Sequence, residues 1–335
     1  MSPFISTAAV GGASPFTGIH PDIIQSHILN RLDGPTLAST SCASAELLSL
    51  CSGDHLWKDI CNSTWPSTAD HRVCGAISTF PSGHRSFYSD AFPASRHHQL
   101  AEAPARCASD TLELISAVDI YYDGALVYSK VLVTEARSPW FLSAPFRLEL
   151  LDKKETVALP LKLDGLVGES SCIARAEERL RVSWILIDPM KRRAVNVASR
   201  EAMDAGRHWL SDDIQLRYAS VVADGGGETV SCEVEVTCGG EEGGRLRVKE
   251  VSMQVEGMEG KLLTGAESLR ILGAAMDGGR RRSDAMMERE IYQRFLRVKI
   301  VCRERKLRRE RGLDMVCAAT GISIFFSFII FVLSR

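Results

Sequence analysis

The residues of this chain that most often carry out chemistry are scattered along it. Ten cysteines occur among the 335 residues, but no two form a CxxC pair and none has the spacing of a zinc site with histidine. His97 and His98 are adjacent, so their side chains diverge, and they predict a solvated loop. The glycine stretches 225–227 and 239–244 lack the GxxxxGK[ST] and GxGxxG patterns, and we interpret them as hairpin turns. We therefore expect no catalytic residue, no cofactor and no metal.

The composition is that of an ordinary globular protein with room for about two domains. Apolar residues make up 45% of the chain, charged residues 24%, and the net charge is −2, which gives no reason to expect a nucleic-acid partner. Scattered cysteines in apolar surroundings are usually reduced, so the bulk of the chain is expected in the cytosol or nucleoplasm. Residues 1–18 hold no Lys or Arg and are broken by Pro and Gly, which predicts a disordered leader and argues against a signal peptide.

The elements that would organise the chain begin at residues 19–61, where several short helices are predicted. Pro21 suits the first position of a helix, and Ile24, Ile28 and Leu32 follow at spacings of four, which predicts one apolar face. Asp33-Gly34-Pro35 then ends this helix. Helices this short cannot bury all their apolar surface against one another. Part of that surface is expected to contact another chain or the next domain.

The order of residues in this stretch resembles the F-box. The residues that carry the resemblance are Pro21-Asp22-Ile23-Ile24, Ile28-Leu29-Asn30-Arg31-Leu32-Asp33, Leu37 and Leu56-Trp57. One plant family of F-box proteins is similar over more of the chain, through the runs Cys61–Ser67, Phe80-Pro81, Ser86-Phe87-Tyr88, Ser183–Pro189 and Arg207–Leu210. One departure is Ala43–Glu46, which stands where many F-boxes carry a basic residue and a Trp.

The resemblance implies a role without chemistry of its own. A protein of this family would be the substrate-receptor subunit of a Skp–cullin–F-box ubiquitin ligase, binding a Skp-type adaptor and, through it, a cullin. The residues that would contact the adaptor are Pro21, Ile23, Ile24, Ile28, Leu32, Leu37 and Trp57.

The middle of the chain changes to a period of two. Residues 62–110 give few regular signals and predict a linker that packs on the F-box. Residues 111–260 predict an antiparallel β domain, in which Asp123-Gly124 signals a hairpin turn and Val182–Ile187 a strand covered on both faces. Along Arg245–Glu256 the apolar face slips by one residue at Lys249-Glu250, which predicts a β-bulge. Such a domain would hold the unknown protein target.

The C-terminal part predicts basic amphipathic helices over 264–311 and a membrane span over 315–333. From Arg280 to Arg311 there are thirteen Lys or Arg residues against five acids. Met315–Leu333 carries no charge over nineteen residues, about 28 Å of helix, which is close to the ~30 Å hydrocarbon core of a bilayer. The basic residues before it predict a cytoplasmic body. The apolar segment and the basic residues together favour a tail anchor that contacts lipid. The endoplasmic reticulum is favoured over other membranes.

Two hypotheses follow from the sequence. Both share an α+β fold: a small helical F-box, a β-sandwich-like domain, and C-terminal helices ending in one transmembrane helix. In the first, the protein recruits a target for ubiquitination at a membrane surface. In the alternative, it is a membrane-tethered ligand-binding protein with a lectin-like sandwich, or an adaptor, with no role in ubiquitination.

Overall fold

The computed structural model describes residues 20–92, 94–95, 111–162, 169–223, 229–240, 245–278, 281–282 and 284–335. Within these ranges the fold is α+β, as predicted, with N-terminal helices, two larger antiparallel sheets and a long C-terminal helix. Several predictions lie outside the described residues: the leader 1–18, the His97-His98 loop, and the turns at 225–227 and 241–244.

Residues 20–92 form one helical module. Its helices are α1 (Pro21–Ile23), which continues as a π-helix (Ile24–Ile28) and a 3₁₀ turn (Leu29–Arg31), then α2 (Gly34–Thr40), α3 (Ala45–Cys51), α4 (Asp54–Thr64), a 3₁₀ turn (Pro66–Ala69), α5 (His71–Ser78) and α6 (Gly83–Ala91). Residues 62–91 of the predicted linker pack on the F-box as predicted, but most of this stretch is helical. Packing explains it, since Trp65, Phe80 and Phe87 are buried in the same core as the F-box residues.

A four-stranded antiparallel sheet follows, in the order β3-β2-β6-β7. Its strands are β2 (Glu113–Tyr122), β3 (Ala125–Glu135), β6 (Leu180–Asp188) and β7 (Arg193–Asn196). The hairpin between β2 and β3 turns at Asp123 and Gly124, both with positive φ, as the sequence predicted. A two-residue strand β1 (Ala94–Ser95) pairs separately with β12 (Arg281–Arg282). Arg281 and Arg282, in the stretch predicted as basic amphipathic helices, thus lie in a strand.

The second sheet has six strands in the order β4-β11-β10-β9-β8, with β5 pairing on the same side of β11 as β4. Its strands are β4 (Arg147–Glu149), β5 (Val157–Lys162), β8 (Asp204–Arg207), β9 (Ile214–Ala223), β10 (Thr229–Gly240) and β11 (Arg245–Glu256). The predicted bulge is confirmed: Thr237 pairs with Glu250 and Cys238 with Val248, so Lys249 is the extra residue. The slip in the apolar pattern is absorbed there.

The two sheets pack face to face around the main core, to which Trp184 and Tyr218 contribute the largest fully buried side chains. The four-stranded sheet is covered on its other face as well. Ile115, Ile185 and Ile187 belong to the core of the helical module, because successive residues of a strand point to opposite faces. The prediction that Val182–Ile187 is covered on both faces is confirmed. The helical module and the sandwich therefore share one sheet as a common wall.

Four further helices accompany the sheets: α7 (Pro139–Ser143), α8 (Glu169–Arg179), α9 (Gly265–Asp277) and α10 (Ala285–Leu333). Thr264-Gly265-Ala266-Glu267 has the sequence form of a capping box, and the structure confirms that this box begins α9. Helix α10 is continuous over 49 residues. Its first turns lie on the outer face of the six-stranded sheet, where Tyr292 and Phe295 pack against Met203 and Ala219.

The buried face of α10 differs from the one its apolar spacing predicts. That spacing predicts a single stripe of Met287, Ile291, Phe295, Val298 and Cys302. Phe295 is buried, but Met287 and Val298 are exposed. Polar residues take part in the contact: Lys299 pairs with Glu256 at 2.6 Å, and Glu288 lies 3.5 Å from Arg200.

Beyond residue 306 the side chains of α10 are almost all exposed to solvent. Within the described residues, α10 is the one helix whose length and composition would allow it to cross a membrane.

Candidate functional site

The N-terminal end of the helical module departs from a regular α-helix. After the single turn Pro21–Ile23, the chain forms a π-helix over Ile24–Ile28. Hydrogen bonds in a π-helix join residues five apart, which brings such residues onto one face. Ile24 and Leu29, five apart, are 2% and 1% exposed. They anchor the segment in the module.

The other face of this segment carries apolar side chains that the module leaves uncovered. Ile23 and Ile28, also five apart, are 49% and 44% exposed. The predicted apolar face of Ile24, Ile28 and Leu32 at spacings of four is therefore wrong, because the π-helix separates Ile24 from Ile28. Leu32 is half-buried.

Helix α3 adds to this surface. The amide Nε2 of Gln25 donates to the carbonyl of Leu50 at 3.1 Å, which ties the π-helix to α3. On that helix Leu48 is 42% exposed. Pro21 is exposed at the start of the segment. We refer to Pro21, Ile23, Ile28 and Leu48 as the N-terminal apolar face. Scattered apolar residues are normal on a surface, but four on two linked elements offer a surface for a protein partner.

An aromatic cluster supports this surface from inside the module. The ring of Tyr88 lies 5.3 Å from that of Trp57 and 5.5 Å from that of Trp65, within the range of favourable aromatic contact. The indole of Trp57 donates to the carbonyl of Cys51 at 2.7 Å. Burial raises the pKa of Tyr88 above its ordinary value. This hydroxyl remains protonated at neutral pH.

An ion pair joins the two longest helices of the module. Asp54 on α4 accepts from the backbone N–H of His84 at 2.8 Å and lies 2.9 Å from Nδ1 of the same residue. Burial opposes the charge on Asp54, but the bonds to His84 outweigh it, so the pKa of Asp54 is lowered. Close by, burial raises the pKa of Cys61 to about 12, so its thiol is not a nucleophile at neutral pH.

Asp119 fixes the helical module to the sandwich. It lies on β2, is fully buried, and its carboxylate accepts from the N–H of Ser67 at 2.9 Å and from the hydroxyl of Ser67 at 2.5 Å. The hydroxyl of Ser129 donates to it at 2.7 Å. Burial raises the pKa of Asp119, and these bonds oppose that rise. Three protein donors take the place of water around this buried carboxylate. Asp119 thereby joins the 3₁₀ turn Pro66–Ala69 to the sheet.

In the described part of the chain, no group of three or more His, Cys, Asp or Glu side chains is arranged to hold a metal ion. Nine cysteines fall within that part, and all of them are free.

Comparison with known proteins identifies relatives along almost the entire chain. F-box protein At2g27310 of Arabidopsis thaliana is 41% identical over 345 residues, covering 99% of this chain and 100% of the relative. Probable F-box protein At2g36090 and F-box protein At3g44326, from the same plant, are 40% and 38% identical over 95% and 94% of this chain, and over 93% and 89% of their own lengths. No family model and no solved structure matches.

The chain belongs to the plant F-box protein family.

Within the F-box, the structure divides the residues that the sequence singled out into two groups. Ile24, Leu37 and Trp57 are at most 2% exposed and form part of the F-box core. Pro21, Ile23 and Ile28 are exposed and Leu32 is half-buried. The second group is accessible to a partner as the chain stands, and the first shapes the F-box from within.

Sequence reasoning missed two residues of this region. Leu48 is 42% exposed on α3, although the sequence singles it out for no role. Leu29 lies outside the spacing of four, yet it is 1% exposed and anchors the segment together with Ile24. The five-residue spacing of Ile23 with Ile28 and of Ile24 with Leu29 was the available signal.

Proposed function

We propose that this F-box protein is a substrate-receptor subunit of a Skp–cullin–F-box ubiquitin ligase, with no chemistry of its own. The observation that carries the proposal is the near full-length similarity to proteins named F-box. The N-terminal apolar face supports it, since apolar side chains on the F-box surface are left without a partner within the described chain. A receptor of this kind raises the effective concentration of its target near the ubiquitin-conjugating enzyme.

In this proposal the Skp-type adaptor covers Pro21, Ile23, Ile28 and the exposed edge of Leu32, and a cullin is reached through the adaptor. Ile24, Leu37 and Trp57 act indirectly by holding the π-helix in place. A substitution such as Leu37→Ala would therefore disturb folding as well as binding. Variants of the exposed residues are the cleaner test.

The test is capture of the purified full-length protein on an immobilised Skp-type adaptor. We expect Ile23→Asp and Ile28→Asp each to reduce capture at least tenfold, because a carboxylate would be buried without a partner at the interface. Leu126→Asp on β3 is the matched control, since Leu126 and Ile28 are both 44% exposed. If the unaltered protein fails to bind where other F-box proteins do, or if all three variants bind alike, the proposal is wrong.

The β domain would hold the protein target. Two apolar residues stand out between β8 and β9, where Trp209 is 87% and Leu210 is 73% exposed. The neighbouring His208 lines a polar groove of about 370 Å³, where Lys249 lies 2.9 Å from Asp213. A rigid aromatic beside paired charges is common in binding hot spots. We expect Trp209→Ala to raise the cellular level of the target while adaptor capture stays unchanged. If the target level is the same with Trp209→Ala and with the unaltered protein, Trp209 is not part of the binding surface.

The proposal also places the protein at a membrane, with residues 315–333 crossing it, the body on the cytoplasmic side and the endoplasmic reticulum favoured. Support comes from the exposed apolar side chains of this segment, such as Phe325, Phe328 and Phe331, and from the basic stretch before it. Truncation after Arg311 should move the protein from the membrane pellet to the soluble fraction. A glycosylation site appended after Arg335 should be modified if that end is lumenal. A truncated protein that still sediments with membranes would show that another part holds it there.

A further inference from the structure

A second cavity lies where the helical module meets the four-stranded sheet. It has a volume of about 460 Å³, within the range of small-molecule sites. Helix α6 contributes Arg85, Ser86 and Asp90. The turn between β6 and β7 contributes Arg192, and the first residue of β7 contributes Arg193. The F-box surface, by contrast, lies at the start of the module, and the residues of the N-terminal apolar face do not line this cavity.

The charges that line this cavity do not cancel. Arg85, Arg192 and Arg193 supply three positive charges and Asp90 one negative charge, which leaves a net charge of +2. Asp90 is 7% exposed and accepts from Nε of Arg193 at 2.9 Å, so these two neutralise each other. Asp90 also accepts from the N–H of Ala194 at 3.0 Å. The excess charge thus resides on Arg85 and Arg192.

Neither of these two arginines has a carboxylate partner in the described part of the chain. Arg85 donates from Nη1 to the hydroxyl of Ser52 at 3.1 Å, which leaves its charge uncompensated. Arg192 is exposed at the surface. It also lines the cavity, opposite α6, whose first turn carries no acidic residue.

The backbone holds Arg192 in a defined position. The carboxylate of Asp188 accepts from the N–H of Met190 at 2.9 Å and from that of Lys191 at 3.0 Å, which fixes the turn. Arg192 has φ of 54°, a conformation that is uncommon for residues other than glycine. The Asp188 bonds and this backbone conformation together set where the turn carries Arg192.

We propose that this cavity binds a small anion that carries at least two phosphate groups, one facing Arg85 and the other Arg192. Guanidinium groups match phosphate oxygens in a bidentate geometry. Two arginines on two different elements suit a ligand with two charged ends better than a single phosphate. The bound anion would join α6 to the turn between β6 and β7, and so link the helical module to the sandwich. This inference does not depend on the proposed ligase role.

The experiment measures binding of inositol hexakisphosphate and of inorganic phosphate to the full-length protein in detergent, by calorimetry at fixed ionic strength. We expect the inositol phosphate to bind at least tenfold more tightly than inorganic phosphate. Arg85→Gln and Arg192→Gln should each weaken it about tenfold to hundredfold, since a charge-assisted hydrogen bond is lost. Arg137→Gln is the matched control, because Arg137 is exposed and does not line the cavity. Melting temperatures without ligand identify any variant that fails to fold, and the exposed Arg192 then provides the decisive comparison.

A parallel measurement uses vesicles that contain phosphatidylinositol bisphosphate, to distinguish a lipid headgroup from a free anion. Dependence on Arg85 and Arg192 in solution identifies a free ligand, and dependence in the vesicle assay alone identifies a headgroup. Both outcomes support the site. Absence of binding to either probe overturns the proposal, and so does binding that Arg137→Gln weakens as much as Arg192→Gln, because it would reflect overall charge alone.

Discussion

Replacing Asp119 tests whether a buried carboxylate holds the helical module to the sandwich. Asp119→Ala removes the acceptor for three donors. The two on Ser67 cannot turn to water, because Ser67 is only 3% exposed, whereas the exposed Ser129 can. Each bond to a charged acceptor is worth roughly 1.5–3 kcal/mol, so two amount to roughly 3–6 kcal/mol. Relief of the burial of the charge returns roughly 1–2 kcal/mol. We expect a net loss of roughly 2–4 kcal/mol in the free energy of unfolding.

The assay is denaturant unfolding of the full-length protein in detergent, followed by the fluorescence of its tryptophans. Trp57 and Trp65 lie in the helical module and Trp184 in the main core. Ser129→Ala is the matched control and should cost under about 1 kcal/mol, since its hydroxyl reaches water. Limited proteolysis should cut Asp119→Ala between the module and β2 at lower denaturant than it cuts the unaltered protein.

One result would refute the reasoning. If Asp119→Ala costs no more than Ser129→Ala, the carboxylate does not stabilise the joint, and its burial costs as much as its bonds return. Asp119→Asn separates charge from shape, because the amide keeps one acceptor oxygen. The loss in the free energy of unfolding for Asp119→Asn should lie between the losses for Ser129→Ala and Asp119→Ala.

Three further predictions concern other contacts. Gly34→Ala should lower the free energy of unfolding by roughly 2 kcal/mol, because a Cβ would lie 2.1 Å from Cζ of Tyr88. An uncrowded helical site would instead be stabilised by this substitution, so a stabilised variant would contradict the packing. Phe295→Ala should cost roughly 3 kcal/mol and speed hydrogen exchange over 289–306, whereas Met286→Ala, at an 82% exposed residue, should change neither. The hydrogen bonds of Lys130 and then Tyr128 lower the pKa of Glu155 to about 2, so the contribution of Glu155 to stability is present above pH 4.5 and is lost as the pH falls towards 2. Glu155→Gln should therefore flatten the curve of stability against pH between these two values. If the curve is unchanged, Glu155 does not make this contribution.

Local patterns were enough to predict much of the β domain. The turn at Asp123 and Gly124 and the bulge at Lys249 are confirmed. Apolar and polar residues alternate along Val230–Cys238, which predicts a strand, and this stretch lies within β10. In each case the signal lies within a few residues, because a strand must keep one face apolar. The capping box of α9 is equally local, since Thr264 and Glu267 satisfy each other's backbone donors.

Other elements depend on contacts distant in sequence and were not predicted. Helices α5 and α6 lie in a polar stretch whose sequence does not predict them. Their packing against Trp65 and the shared sheet accounts for them. The buried face of α10 was misplaced because apolar periodicity ignores Glu288 and Lys299, which are half-buried and held by ion pairs. At the F-box surface, the π-helix changed which isoleucines face outward. The signal for this π-helix is the spacing of five between Ile23 and Ile28, which a search for spacings of three and four passes over.

The sheet shared by the helical module and the sandwich has a consequence for how the protein could evolve. Ile115, Ile185 and Ile187 complete the module's core, so this F-box lacks an inner wall when cut away from the strands that follow. A gene fusion that carried residues 20–92 onto another body would expose that apolar surface. We therefore expect the helical module and the four-stranded sheet to be inherited together.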